Sequence, residues 1–453
     1  MLSVRKLFNL LPFFILTLPG LSCSNRYDYP IPPNSFSETE LPPPVKVTLS
    51  KSSGSWKMFV NGTEFYVKGA ATNNFFENAK EFGANTIRTY GITEQTRVIL
   101  DKAFKAGLQV NLGIYIKREL DGFDYNNDAA VKEQLEQVKA DVIRFKDHPA
   151  LLCWSIGNEV DASYTNTKVW TVVNEVAKFI HQVDPNHPVT TALANSDAEK
   201  VKLVAQMAPQ VDILSINSYA PNVPQLLANL TSANWQKPYM VTEFGPRGTW
   251  QMNPEPARVL SWGGLVEQTS TEKEADYLLV YQNHIYPNRT KGCIGSFVFL
   301  WGYQTHGDVL TWFGLFDKRG YTFAAADAMQ YAWTGSYPAN RAPVIQTRNH
   351  MLMNNKKAEE NITVARSSSN TATVTASDPE GDVLTYSWMI YKENTFGADG
   401  SLPNGIGSLI TDSSLPAITF KAPGEAGAYR LVVFVSDETH KKVASAVIPF
   451  LVN

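Results

Sequence analysis

The sequence predicts an α/β fold, a (β/α)8 barrel, with a smaller β-sandwich after it. Three observations carry the prediction. Short β-branched, apolar runs alternate with longer segments of helical period from about residue 64 to residue 334, the pattern of repeated βα units in a parallel sheet. Eight such runs can be counted, the number that closes a barrel. Past residue 334 the texture changes to period-two alternation broken by turns, the signature of an antiparallel domain. The 453 residues accommodate both, since a barrel of this kind takes roughly 250.

Residues 1–23 read as an export signal: Arg5 and Lys6 supply positive charge, Leu7 to Leu18 form an apolar stretch, and small residues precede Cys23. The stretch is too short to span a bilayer. Gly20-Leu21-Ser22-Cys23 resembles a relaxed bacterial lipobox lacking the usual Leu three residues before the Cys. Cleavage there would leave Cys23 as a lipid-modified N-terminus; the alternative is a secreted protein cut nearby. Residues 24–44, rich in Pro, Ser and Asn, read as an extended tether. The expected location is the cell surface or periplasm, as an outer-membrane lipoprotein of a Gram-negative bacterium, meeting the membrane only through its lipid.

Residues 45–336 are assigned to the barrel. Val45 to Val60, followed by Asn61-Gly62, reads as a hairpin plugging the barrel bottom. The eight strands are Glu64 to Gly69, Ala84 to Tyr90, Gln109 to Tyr115, Leu151 to Ile156, Pro188 to Ala192, Val211 to Ser218, Pro238 to Glu243 and Ile294 to Trp301. Between the third and fourth, Val131, Leu135, Val138, Val142 and Phe145 recur at helical steps after an Asp128 cap, a stripe that should face the barrel wall. Cys153 and Cys293 lie in apolar strand-like runs, which predicts buried free thiols rather than a disulfide or a metal site. Residues 342–453, with alternating runs at Thr371 to Thr375, Val383 to Tyr391 and Tyr429 to Val435, suit an immunoglobulin-like β-sandwich. Within it, Asp378-Pro379-Glu380-Gly381-Asp382 is a turn that could bind calcium but reads first as a solvated hairpin turn.

The net charge of −3, without a basic stripe, excludes nucleic acid as the partner. No cofactor or metal is called for, and a monomer is expected. In such barrels, function collects at C-terminal strand tips. Two carboxylates stand there: Glu159, after Leu151-Leu152-Cys153-Trp154-Ser155-Ile156-Gly157-Asn158, and Glu243, after Tyr239-Met240-Val241-Thr242. One Glu after a strand is ordinarily a solvated or capping residue. Two, each ending an apolar strand, could supply the acid and the nucleophile or base that glycosidic hydrolysis needs. That reading requires both carboxyls to open on one cleft, neither withdrawn from solvent.

Asn158-Glu159 after the fourth strand and Glu243 after the seventh resemble the signature of glycoside hydrolase clan A. The resemblance spans residues 56 to 334. It implies that Glu159 is the general acid/base, that Asn158 binds the sugar 2-hydroxyl, that Glu243 is the nucleophile, and that configuration is retained. Asn85-Thr86-Ile87-Arg88-Thr89-Tyr90-Gly91 resembles the clan's second strand, which implies that Arg88 sits by the nucleophile and favours its ionised form. Asn217-Ser218-Tyr219 resembles the segment whose Tyr hydroxyl donates to the nucleophile, and Trp301 the aromatic floor under the reactive sugar. Retention would place the carboxyls roughly 5 to 5.5 Å apart.

Loops after the third, seventh and eighth strands carry Tyr115, Phe123, Tyr125, Trp250, Trp262, Tyr303 and Trp312, rings on which a β-linked oligo- or polysaccharide could stack. The leader, barrel and terminal domain together most resemble glycoside hydrolase family 158, implying endo cleavage of β-1,3-glucan such as laminarin. The second- and fourth-strand segments also resemble family 2, which leaves β-galactosidase or β-mannosidase-type specificity open, as well as glucanosyl transfer. A different class, a non-catalytic surface glycan-binding lipoprotein, is opposed by the presence of both glutamates.

Overall fold

The computed structural model describes residues 41–52, 54–252, 258–303, 311–393 and 405–453. The expected leader, Cys23 and most of the tether lie outside the described residues. The described chain opens with three antiparallel strands, β1 (Val47–Ser52), β2 (Ser55–Val60) and β3 (Thr63–Phe65). Asn61 and Gly62 both take positive φ, 49° and 81°, as a tight hairpin turn of the primed kind demands. That turn pulls Thr63–Phe65 back onto Met58–Val60. The first barrel strand therefore starts at Val67, three residues later than the apolar pattern suggests.

Eight parallel strands then close a barrel: β4 (Val67–Ala71), β5 (Thr86–Arg88), β6 (Gln109–Ile114), β7 (Leu151–Asn158), β8 (Val189–Leu193), β9 (Ile213–Asn217), β10 (Tyr239–Phe244) and β11 (Cys293–Val298). They pair in chain order, and β11 returns to β4. Alternation sorts their side chains. Val110, Leu112 and Ile114 of β6 and Trp154 and Ile156 of β7 face the helices. At the bottom, Cys153, Ile213, Met240 and Ile294 meet Val47 and Met58 of the first sheet. The expected plug is there, as three strands rather than two.

Helix α3 (Asp128–Phe145; α1 is Phe76–Glu81 and α2 Thr96–Lys105) buries Leu135, Val138, Val142 and Phe145, with Val131 half-buried. Its cap is Asn127, whose side chain accepts from Ala130 N at 3.1 Å; Asp128, the expected cap, is the first helical residue. Asn127 wins because its side chain lies outside the helix, where the unpaired N–H groups of the first turn point. Cys153 and Cys293 are buried and free, and burial pushes the Cys293 thiol up to about 11.

Helices α4 (Lys168–Val183), α5 (Ala198–Met207), α6 (Leu226–Ser232), α7 (Ser270–Val280) and α8 (Ala324–Thr334) complete the barrel wall. Gly335, at φ 86°, ends α8. Beyond it lie β12 (Met351–Met353), β13 (Thr363–Val364), β14 (Ser369–Val374), β15 (Thr385–Lys392), β16 (Ile410–Thr411), β17 (Ala417–Lys421), β18 (Gly427–Asp437) and β19 (Lys442–Val452). They make two four-stranded sheets, ordered β12-β14-β17-β16 and β13-β19-β18-β15. Trp388, Ile390, Phe420, Leu431, Val433 and Ile448 fill one core shared by both sheets. Leu260 and Val266, from the segment after β10, enter the same core. Asp327 of α8 also pairs with Lys442 of β19 at 2.5 Å, both buried. In the Asp378 turn, one carboxylate oxygen accepts from the backbone N–H groups of Glu380, Gly381 and Asp382, the self-contained arrangement of a turn.

Candidate active site

The polar groups converge at the C-terminal rim, where the strands end. Simple alternation would turn Glu243 outward with Val241, which faces the helices. It does not, because β10 carries an extra residue: Val241 and Glu243 pair with the consecutive Ile216 and Asn217 of β9. Against β11 the same shift separates Val241 from Phe244. A bulge of this kind re-aims a side chain next to a site. Strand β7 is bulged likewise, with Ser155 and Asn158 opposite Thr190 and Ala192 of β8. Gly157 takes φ 73° and Glu159 φ 52°, a left-handed conformation uncommon for a residue with a side chain. The Glu159 N–H is held by Ala192 O at 2.8 Å.

Arg88, at the tip of β5, organises the floor. Its Nη1 donates to Glu243 Oε1 at 3.0 Å, to Thr242 O at 2.8 Å and to Asn217 Oδ1 at 3.3 Å, while Nη2 donates to Asn158 Oδ1 at 2.6 Å. Tyr219 OH donates to Glu243 Oε2 at 2.6 Å, so both Glu243 oxygens are engaged. Charge-assisted bonds of this geometry are among the strongest a protein makes. Asn217 links the two carboxylates. Its Nδ2 donates to Glu159 Oε1 at 2.8 Å and to Asn158 Oδ1 at 3.1 Å, and its Oδ1 accepts from Thr242 Oγ1 at 3.0 Å as well as from Arg88. In the sequence Asn217 stands only as one member of Asn217-Ser218-Tyr219, and its inward place on β9 is the one signal of its role. On Asn158 both contacts fall on the carbonyl oxygen, so what it can offer a ligand is the amide N–H side.

The two glutamates differ electrostatically. Burial pushes the Glu159 carboxyl up to about 7; the negative charges of Glu243 and Asp161 act the same way, while the Asn217 bond and Arg88 oppose it. Glu159 therefore keeps its proton into the neutral range, beside a carboxylate held by a guanidinium and a phenol. Glu159 is half-buried, but Glu243 is only 2% exposed. The requirement that neither be withdrawn from solvent is not met by Glu243. Its partners take up its oxygens, and Trp250 and Phe313 stand against Tyr219 with ring centroids 5.2 and 5.1 Å away.

Trp301 is a correction. Its ring is fully buried on the helix side, against Phe82, Phe316 and Trp333 at 5.4, 5.4 and 5.7 Å, and so offers no floor to a ligand. Phe299 and Phe313 form the aromatic wall near Tyr219 instead. Of the seven aromatic residues expected to line the cleft, only Tyr115 (48%) and Trp250 (59%) are exposed. Tyr125, Tyr303 and Trp312 are buried, Phe123 packs on Tyr125, and Trp262 packs on the C-terminal core. Among the described residues, one group, Asp382, Asp437 and His440, has ligating atoms within 4.8 Å of one another. It lies in the C-terminal domain, where His440 Nδ1 bonds Asp437 Oδ2 at 2.7 Å and Asn340 donates to Asp382 at 2.6 Å.

Residues 90–254 match the model of the TIM barrel domain of glycosyl hydrolases family 2. This span contains both Glu159 and Glu243. The chain is 25% identical over 251 residues to a beta-glucuronidase of Rattus norvegicus, covering 48% of this chain and 36% of that one. It is 28% identical over 255 residues to the beta-glucuronidase of Felis catus, covering 47% and 36%. It also shares 39% identity over 70 residues, 15% of this chain and 16% of the other, with mannan endo-1,4-beta-mannosidase F of Aspergillus clavatus. The chain thus spans about a third of the beta-glucuronidases it matches. Among solved structures, a beta-glucuronidase of an uncultured Clostridium sp. aligns with TM-score 0.49 and 20% identity over 64% of this chain and 54% of that one. A putative beta-galactosidase from Bacteroides fragilis aligns with TM-score 0.46 and 14% identity over 90% and 57%.

Proposed function

We propose that this protein is a retaining glycoside hydrolase in which Glu243 attacks the anomeric carbon of a β-linked sugar and Glu159 serves as acid, then base. The observation that carries the reading is the asymmetry of the pair. Glu159 holds a proton near neutral pH while Glu243 is held by Arg88 and Tyr219, the division of roles that double displacement needs. In the first step the Glu159 proton passes to the glycosidic oxygen as that bond breaks and a Glu243 oxygen bonds to the anomeric carbon. The bond removes the Glu243 charge, one cause of the raised Glu159 proton affinity. Glu159, now ionised, takes a proton from water as water displaces Glu243. Attack needs one oxygen lone pair on the anomeric carbon, so a carboxylate at the cleft floor requires little exposure. Asn158 is assigned to the sugar 2-hydroxyl through its amide.

For the substrate, endo cleavage of β-1,3-glucan, as in family 158, is the finer reading from architecture. The matches to beta-glucuronidases and to a mannan endo-1,4-beta-mannosidase favour instead the glycosidase of β-galactosidase or β-mannosidase type. The two sheets, with strand orders A-B-E-D and A′-G-F-C in immunoglobulin lettering, support reading the C-terminal domain as immunoglobulin-like. We further assign the protein to the cell surface or periplasm as a monomer lipidated at Cys23. The test is sugar release from aryl β-glucuronides, galactosides and mannosides, laminarin and mannan, by wild type and Glu243→Gln. Release by wild type alone supports the proposal. Binding without release by wild type would instead mark a glycan-binding protein.

A further inference from the structure

We propose that Tyr115 is the stacking platform for the leaving sugar, the ring on the far side of the cleaved bond from the one that Glu243 attacks. The inference rests on the glycosidase reading above and adds to it the seat of the leaving group.

Position comes from the sheet. Strand β6 lies beside β7, with Gly113 opposite Ser155 and Ile114 opposite Ile156. One step beyond, Tyr115 stands level with Gly157, two residues before Glu159. Its face follows from alternation: Val110, Leu112 and Ile114 pack against helices, so Asn111, Gly113 and Tyr115 point inward. Tyr115 thus joins the rim on the side of the acid. The group that protonates the leaving oxygen must stand beside the leaving sugar, so this is the side on which that sugar lies.

Fixation is the second observation. Tyr115 OH donates to Asp121 Oδ2 at 3.1 Å, and Arg118 clamps Asp121 with Nε to Oδ2 at 2.8 Å and Nη2 to Oδ1 at 2.9 Å. Arg118 is itself buried and close enough to Glu159 to feel its charge. With its hydroxyl bonded to Asp121, Tyr115 is still 48% exposed. A ring immobilised beforehand loses little freedom when a ligand covers it, and the C–H face of a pyranose is an apolar surface that matches it. A core role does not account for such exposure, and a solvated loop residue does not account for the clamp.

The test compares substrates sharing one glycone: a β-linked disaccharide, whose leaving group is a sugar, and the glycosyl fluoride, which has no leaving ring. Tyr115→Ala should lower kcat/KM on the disaccharide about 10- to 100-fold, the scale of one lost pocket contact, and on the fluoride by far less. Tyr115→Trp should keep most of the disaccharide activity. Equal losses on both substrates, or none on the disaccharide, would overturn the proposal. Disaccharide affinity, measured calorimetrically on Glu243→Gln with and without Tyr115→Ala, needs no turnover. A weaker Kd in the double variant supports the platform and an unchanged Kd refutes it, even if wild type hydrolyses neither substrate, which would count against the glycosidase reading alone.

Discussion

Glu159 combines a left-handed backbone, a half-buried carboxyl and a proton affinity raised to about 7, each unfavourable to folding. A carboxyl whose folded pKa lies above its unfolded one contributes its full stability below the unfolded value and loses it as pH rises through the folded value. The window here runs from the ordinary glutamate range near 4.5 to about 7. Glu159→Gln should therefore raise stability at pH 8, on the order of 1–3 kcal/mol, with little change at pH 4, as read by paired urea melts. The same variant should lower kcat/KM about 10²- to 10⁴-fold on substrates with poor leaving groups and abolish the fall in rate above pH 7. Both glutamates were legible because each ends an apolar strand where a charge has no packing role. Trp301 was not: Val298, Phe299, Leu300 and Trp301 are all apolar and all buried, so hydrophobicity cannot tell the helix side from the cleft side. Asn217 was equally opaque as a hub, since its partners come from β5, β7 and β10.

At the level of elements, one-residue irregularities decide the site. The strands were legible from β-branched runs, and all eight lie near their expected places. The bulges in β7 and β10 were not, because an extra residue changes which face a side chain takes without changing composition. Gly157 is the exposed point of that design: at φ 73° a side chain is strained, and an added Cβ would lie 2.7 Å from Val160 Cγ1. Gly157→Ala should destabilise by about 1–3 kcal/mol and lower kcat more than KM, since Glu159 would be displaced while the binding surface stays. Steady-state kinetics beside a thermal melt measures both. A melt shift with unchanged kcat would show that the bulge does not position the acid.

Across the whole molecule, the C-terminal domain is built into the barrel. The change of texture after Thr334 falls between α8 and the first strand of the antiparallel sheets, but nothing in it marks the interface. Strand β19 is buried almost throughout and meets the barrel through Lys442 and the Ser445 backbone, so it shows no polar alternation to mark a solvent face. Burial raises the proton affinity of Asp327 despite Lys442 beside it. Lys442→Met should then leave a buried carboxyl without its partner, at about 3–5 kcal/mol, and Asp327→Asn in the same chain should recover part of the loss. Urea unfolding followed separately by the barrel tryptophans and by Trp388, the one tryptophan of the sandwich, should give one coincident transition in wild type; two separate transitions would mean that the domains are independent.

The most direct test of the central claim is to trap the glycosyl-enzyme. Wild type is incubated with a 2-deoxy-2-fluoro glycosyl fluoride of the preferred glycone, and intact mass and peptide mapping locate the label. The account predicts one fluorosugar, on the Glu243 carboxyl, with turnover inhibited in proportion. A label on another residue, or an active enzyme that gives no label and releases product of inverted configuration, would contradict it.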